Sequence, residues 1–362
     1  MILILTAGYG EGHNAAAQGL LAAFQQRGCT AEIVDAFALG GGSTYQQSRR
    51  WYLEVINRAP KLWAFLFGLI DRWPLARWSL PFLGTVKTAL AEVLEREKPF
   101  AVASVYPAYP YLLEKIYGSG PMPFFLHTIV TDSITINSVW FRCRSDSFVV
   151  ANEDTARVMV GAGVPQEKVR VLGFPVRPRF AFSTVQRAHP WEVRPRVLYM
   201  VNAGKELAPA IVARLLECGV VDLTVTVGRD EELRGRVMEA AAGRHLEVYG
   251  WTDEMPELMM SHHVLIGKAG GATVQETIAS RTPMVITQIV PGQEEGNARL
   301  LIENACGSLC ETPEAIARQV ASLFESGGAL WRLWEQNIAR LSRPDAALRV
   351  AELLEGSPKS RS

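Results

Sequence analysis

Short apolar runs alternate with amphipathic stretches along most of the chain. Residues 2–6, 31–34, 100–105, 124–130, 148–150 and 169–172 are rich in β-branched and aromatic side chains and predict strands. Between the first two, Ala16, Leu20, Ala23 and Phe24 recur at helical spacing and predict a helix over 14–27. Strands alternating with helices predict an α/β domain with a parallel sheet covered by helices. The rhythm stops over 173–196, where Pro175, Pro178, Pro190 and Pro195 mark a linker. A second series follows, with strands expected at 197–201, 223–227, 246–249, 264–266 and 284–289. Helical patterns near 313–324, 330–341 and 346–354 end it. The expected domains are 1–180 and 181–340, with 341–362 a helix and tail packing back on the first. Gly40-Gly41-Gly42-Ser43 reads as a loop, and Gly356 onward as a frayed end.

The length of 362 residues is enough for two domains with separate cores, and 48% hydrophobic residues fit a globular chain. Net charge is zero but unevenly spread. Residues 1–180 carry 18 Lys and Arg against 14 Asp and Glu, and the remainder carries 19 against 23. A basic front half suits an anionic surface. Cys29, Cys143, Cys218, Cys306 and Cys310 have neither zinc nor disulfide spacing and read as thiols in a reducing compartment. Met1 leads directly into a strand-like run, so no signal peptide is expected.

Residues 49–87 depart from the pattern. They hold seven basic and two acidic residues, and Trp51, Trp63, Trp73 and Trp78. Residues 62–70, with Trp63, Phe65 and Phe67, are almost wholly apolar but too short to span a bilayer. Indoles, phenyl rings and cations together form an interfacial composition, pointing to membrane docking. The plainer alternative is a helical hairpin packed on the sheet.

The richest chemistry lies in Gly267-Lys268-Ala269-Gly270-Gly271-Ala272-Thr273-Val274-Gln275-Glu276 and in Pro291-Gly292-Gln293-Glu294-Glu295-Gly296-Asn297. In the first, a strand passes through glycines into a helix expected over 272–280. Its free N–H groups suit a phosphate. Glu276, on the first turn or so, lies within reach of a sugar hydroxyl. The second places amides beside carboxylates, a combination that grips a polyhydroxyl ring. Together they outline a nucleotide-sugar pocket. No Asp-x-Asp pair or other metal cluster accompanies them, and no cofactor is implied. Near the N-terminus, Gly8-Tyr9-Gly10-Glu11-Gly12-His13 partly fits the dinucleotide pattern G-x-G-x-x-G. His13 occupies the third glycine position, and Asp35 ends the second strand as a candidate ribose acid. In the other reading, His13 sits at a helix N-terminus, whose dipole keeps the imidazole neutral and able to handle a hydroxyl proton.

Four motifs, in order, resemble one family: Leu5-Thr6-Ala7-Gly8-Tyr9-Gly10-Glu11-Gly12-His13, Val130-Thr131-Asp132, Gly173-Phe174-Pro175-Val176-Arg177, and the Gly267–Glu276 run with Pro291-Gly292-Gln293-Glu294-Glu295-Gly296-Asn297. The chain is similar to the monogalactosyldiacylglycerol synthases and processive diacylglycerol glucosyltransferases. These inverting glycosyltransferases share the GT-B fold with the N-acetylglucosaminyltransferase of peptidoglycan lipid synthesis. The resemblance implies two Rossmann-like domains with parallel sheets facing an interdomain cleft. It also implies transfer of galactose or glucose from a UDP-hexose to diacylglycerol or a related lipid. Under it, Gly270 and Gly271 seat the diphosphate, Glu276 the ribose, Gln293, Glu294 and Asn297 the hexose, and backbone near Trp251 and Met255 the uracil, with Gly204, Ala272 and Thr273 also binding the donor. Gly10, Gly12, Trp51, Trp63, Phe65, Phe67, Trp73 and Trp78 face acceptor and membrane. The implied location is cytoplasmic, peripheral on the inner face of the cell membrane, with no nucleic-acid partner. One departure matters. The family carries Asp where this chain has Gly8, which leaves His13 and Asp132 as the candidate bases. N-acetylglucosaminyl transfer and a non-catalytic sensor of nucleotide sugar or lipid are the alternatives.

Replacing Trp63, Phe65 and Phe67 with Ser should abolish co-sedimentation with anionic liposomes while sparing UDP-sugar binding. Wild-type binding should weaken as salt rises, because each basic residue near the surface contributes about 1 kcal/mol that salt screens. Co-sedimentation insensitive to both changes would show that the segment packs on its own core.

Overall fold

The computed structural model describes residues 1–58, 62, 83–292 and 294–359. Trp63, Phe65, Phe67, Trp73, Trp78 and Gln293 lie outside the described residues. The chain divides into two compact units. One is Met1–Pro178 with Val290–Gly296 and Arg343–Ser362, and the other is Arg179–Ile289 with Asn297–Ser342. Each is built on a six-stranded parallel sheet, as the alternating pattern predicts.

In the first unit β1 (Ile2–Leu5), β2 (Ala31–Val34), β3 (Ala101–Ser104), β4 (Phe125–Ile129), β5 (Ser147–Val150) and β6 (Val169–Val171) lie in the order β2-β1-β3-β4-β5-β6. Every residue of β1, β3 and β5 is buried. That is why these strands read as continuous apolar runs and not as alternating ones. Helix α1 (Glu11–Gln26) buries Ala16, Leu20, Ala23 and Phe24, the face read from the sequence. Helix α2 (Ala36–Arg58) corrects one expectation. Gly40 to Ser43 is not a loop but lies inside the helix, which kinks at Gly42 with φ of 49°. Glycine accepts this left-handed turn at no steric cost, so the helical pattern resumes beyond it. Helices α3 (Gly84–Glu97), α4 (Tyr109–Tyr117) and α5 (Glu153–Gly161) complete the unit up to the linker.

The second unit opens with the short α6 (Arg179–Phe182). Its strands are β7 (Arg196–Met200), β8 (Asp222–Thr226), β9 (Glu247–Tyr249), β10 (Val264–Gly267), β11 (Met284–Ile286) and β12 (Gly307–Leu309). Their order is β12-β11-β10-β7-β8-β9. Strand β12 escapes the sequence reading because Gly307-Ser308-Leu309 has too few apolar residues to show a period. Helices α7 (Ala208–Cys218), α8 (Glu231–Ala240), α9 (Met255–Ser261), α10 (Gly271–Ala279), α11 (Glu295–Glu303), α12 (Pro313–Phe324) and α13 (Ala329–Leu341) follow. The last helix, α14 (Ala346–Glu355), belongs to the first unit and packs on α1. There Arg27 holds Glu355 through Nε and Nη2. The chain is not frayed directly after it, since Ser357 is buried and its Oγ lies 3.0 Å from His127 Nε2. Among the described residues no helix is long and apolar enough to cross a membrane.

Two parallel sheets with these orders each have one point where the strand order reverses, and ligands bind α/β sheets outside the carboxyl ends there. In the first unit that point lies between β1 and β3, and in the second between β7 and β10. Helix α1 starts at the first point because it follows β1, and Gly19 lets it pack closely on the loop after β6. A Cβ on Gly19 would stand 1.9 Å from the Pro175 carbonyl oxygen. Replacing a helix-interior glycine by alanine ordinarily gains up to about 1 kcal/mol. Here overpacking against backbone, typically about 1–3 kcal/mol, should win. Gly19→Ala should therefore unfold at lower urea than wild type, and a raised midpoint would contradict the contact.

Candidate active site

In the first unit, the loops after β1, β3 and β4 bring together His13, Tyr106, Thr131 and Asp132. His13 is the third residue of α1 and is 9% exposed. Its ring stands edge-on to Tyr106 at 5.1 Å and tilted to Trp140 at 5.8 Å. Nδ1 lies 3.0 Å from Thr131 Oγ1, and the ring also bonds the Val105 backbone. Burial lowers its pKa to about 4, against the smaller opposing effect of that backbone bond. The imidazole is thus neutral, as expected, but desolvation and not the helix dipole is the leading cause.

Asp132 behaves in the opposite sense. Burial raises its pKa to about 6, although Trp140 Nε1 donates to Oδ2 at 2.8 Å, and the charge of Glu294 pushes in the same direction as burial. Trp140 is itself 1% exposed and closes the short turn Ser138–Trp140, where Asn137 Oδ1 accepts from Val139 N. Two proton-handling groups with pKa values shifted in opposite directions in one corner are a common feature of active sites.

Gly8 explains the departure noted in the sequence. Its N–H donates to Asp35 Oδ2 at 3.1 Å and to Tyr45 OH at 2.9 Å, and a Cβ there would lie 2.6 Å from that hydroxyl. Tyr45 thus takes the space that a side chain at position 8 would need. Asp35 also accepts from Tyr45 OH and, through Oδ1, from Ala38 N at the start of α2. Its carboxylate is committed inside the protein, which argues against the dinucleotide reading. Gly10 precedes α1 in extended conformation and Gly12 is its second residue. Trp51 of α2 is 55% exposed.

In the second unit, Gly204 follows β7, Trp251 follows β9, Met255 begins α9, and Gly270 precedes α10, which starts with Gly271, Ala272 and Thr273. No side chain caps α10, leaving its first N–H groups for a ligand. Asn202, which the sequence reading did not single out, ties the two loops at the strand-order reversal. Its Oδ1 accepts from Lys268 N at 2.9 Å, and its Nδ2 reaches Thr273 Oγ1 at 3.4 Å. Glu276 sits in the second turn of α10, partly exposed, a turn later than the sequence suggests. Asn297 is 1% exposed, and its Nδ2 donates to Ala269 O at 3.3 Å. Its Oδ1 is buried without a partner among the described residues. Trp251 is 60% exposed, with the Arg229 guanidinium 5.3 Å from its ring centroid. Glu294 lies in the first unit, buried, and accepts from Val290 N. Among the described residues no group of three His, Cys, Asp or Glu could hold a metal ion.

The fold is that of GT-B glycosyltransferases. MurG from Acinetobacter baumannii superposes with a TM-score of 0.61 at 15% identity, covering 98% of this chain and 99% of that one. Anabaena HepE, solved in complex with UDP and glucose, gives 0.54 at 12% identity over 98% and 99%. A family profile described as monogalactosyldiacylglycerol (MGDG) synthase matches residues 13–176. A probable chloroplastic monogalactosyldiacylglycerol synthase of Glycine max is 26% identical over 100% of this chain and 72% of its own length. A processive diacylglycerol beta-glucosyltransferase of Bacillus mycoides is 25% identical over 98% and 92%. The chain is similar over nearly its whole length to the monogalactosyldiacylglycerol synthases and the processive diacylglycerol glucosyltransferases.

The two shifted groups affect stability in opposite directions. Asp132 binds its proton more tightly folded than unfolded, so its contribution is full below pH 3.8 and is lost as pH rises through about 6. His13 is the reverse, and its contribution is lost as pH falls from 6.5 through about 4. Asp132→Asn keeps an acceptor for Trp140 but removes the buried charge. The variant should therefore melt above wild type at neutral pH, with the difference closing near pH 4. A variant less stable than wild type at neutral pH would mean that the carboxylate is not held against its own burial.

Proposed function

We propose that this protein is an inverting glycosyltransferase that moves a hexose from a UDP-sugar to diacylglycerol or a closely related membrane lipid. The observation that carries the reading is the uncapped helix start at the β7/β10 reversal of the second unit; within the first unit, a carboxylate of raised pKa in the loop after β4 supports it. The names of the relatives supply the substrate class.

In this reading the N–H groups of Gly271, Ala272 and Thr273 meet the diphosphate, with the helix dipole favouring its negative charge. Gly204 closes the other side, Glu276 takes the ribose, and the base lies near Trp251 and Met255. Asn297, with Glu294 and Gln293, holds the hexose, and a sugar hydroxyl donating to Asn297 Oδ1 would satisfy that buried oxygen. The acceptor oxygen attacks the anomeric carbon as the bond to the UDP oxygen breaks, and configuration inverts. The hydroxyl proton passes to Asp132. With a pKa of about 6 this carboxylate is mostly ionised at neutral pH, yet more basic than an exposed one. His13, neutral and bonded to Thr131, fixes the neighbouring backbone and packs beside the same corner.

The acceptor dissolves in a bilayer, so the enzyme works at the membrane surface as a peripheral protein on the cytoplasmic side. Exposed Leu39 and Trp51 on α2, next to exposed Arg49 and Arg50, support this. So do the basic front half and the composition of residues 49–87.

A panel of UDP-glucose, UDP-galactose and UDP-N-acetylglucosamine with extracted membrane lipids, read by mass spectrometry, tests the proposal. A hexosyl-diacylglycerol should form, and UDP release without a lipid product would overturn the transfer reading. The rate profile should show an acid limb near pH 6. Asp132→Asn should remove it and cut turnover by roughly 10²–10⁴ while sparing UDP binding. An acid limb near pH 4 that persists in this variant would move the role to His13.

A further inference from the structure

The segment that carries Asp132 is strained and held from outside. Ile134, two residues on, has φ of 58°, a conformation that β-branched residues rarely adopt. Such strain persists only where the surroundings over-determine it. One support comes from α5. Ile134 N donates to Thr155 Oγ1 at 2.9 Å, and Thr155 is in turn fixed by Asn152 Oδ1.

The second support is the Val290–Gly296 segment, which packs in the same unit. Thr135 Oγ1 accepts from Gly296 N at 2.8 Å and donates to Gly292 O at 3.4 Å, so one hydroxyl grips that segment at two points. Position 296 admits no side chain, because a Cβ would stand 1.9 Å from Ser133 O and 2.5 Å from Thr135 N. Glu294, between the two gripped residues, has its Oε2 fixed by Val290 N and lies close enough for its charge to act on Asp132.

We propose that Thr135 and Gly296 are positioning residues. They latch the segment assigned to the donor sugar onto the 132–135 turn, so that seating the sugar and aiming the proton acceptor are one structural event. This rests on the assignment of Asp132 above. The latch touches neither donor nor acceptor; it acts through the direction of the Asp132 carboxylate relative to Trp140. A misplacement of about 1 Å in such a group can cost around 10²-fold in rate.

Thr135→Val keeps the shape and removes the hydroxyl, whereas Thr135→Ser restores it. The Val variant should lose about 10²-fold in kcat and raise donor KM, with UDP affinity unchanged. The Ser variant should recover most of that loss. A second readout is independent of turnover. The indole N–H resonance of Trp140, which reports its bond to Asp132, should shift in Thr135→Val and return in Thr135→Ser. Wild-type kcat and an unmoved indole resonance in Thr135→Val would overturn the latch, as would parallel losses of kcat and UDP affinity. If the indole resonance moves but Asp132→Asn leaves the acid limb intact, the latch stands and the assignment of Asp132 falls.

Discussion

A parallel sheet covered by helices on both faces hides its backbone polar groups and leaves the strand ends open. This constraint organises the whole protein. Most strands return by a helix, so most loops at the carboxyl ends are strand-to-helix turns that expose the unpaired N–H groups of a helix start, while β4 returns to β5 through the short turn Ser138–Trp140. Where the strand order reverses, two such turns diverge and leave a crevice. The chain uses this twice, placing His13 and Tyr106 at one reversal and Asn202 with Gly270 to Thr273 at the other.

In the first unit's crevice, desolvation outweighs hydrogen bonding. Asp132 receives an indole N–H, which should favour its charge, yet burial and Glu294 leave it with a raised pKa. His13 has a backbone partner that should favour its charge, yet burial keeps it neutral. Both groups are held near the protonation state that a proton acceptor needs at neutral pH; ionised Asp132 costs stability there, whereas neutral His13 costs stability only as pH falls below 6.5. The positive φ at Ile134 adds to that cost, and the contacts of Thr155 and Thr135 offset it.

The absence of an acid at position 8 is an exchange of volume. Tyr45, delivered by the kinked α2, fills the space beside Gly8 and shares Asp35 with the Gly8 N–H. The carboxylate of this corner caps α2 and anchors the aromatic cluster of Tyr9, Phe37 and Tyr45. It is structural here, and in the proposed reaction the proton acceptor is Asp132, across the corner.

The sequence by itself determined the class of fold and the linker near residue 178. The strands are buried on both faces and must be apolar throughout, and α1 must be amphipathic. Glycine followed by a helix start marked the uncapped N-terminus of α10, because that feature is local: a few consecutive residues suffice. Strand β12 escaped because Gly307-Ser308-Leu309 holds too few apolar residues, and the helix through Gly40–Ser43 escaped because glycine hides a kink inside a continuing helix. Tertiary structure alone decided the rest. Nothing near Asp132 in the sequence marks Trp140 as its partner, and nothing near Thr135 points to Gly296, 161 residues away. Position 8 could not be understood without Tyr45, 37 residues on. Such pairings are set by which strands become neighbours. The direction of a buried carboxylate, and hence its pKa, depends on what closes over it, which a linear pattern of residue types does not encode.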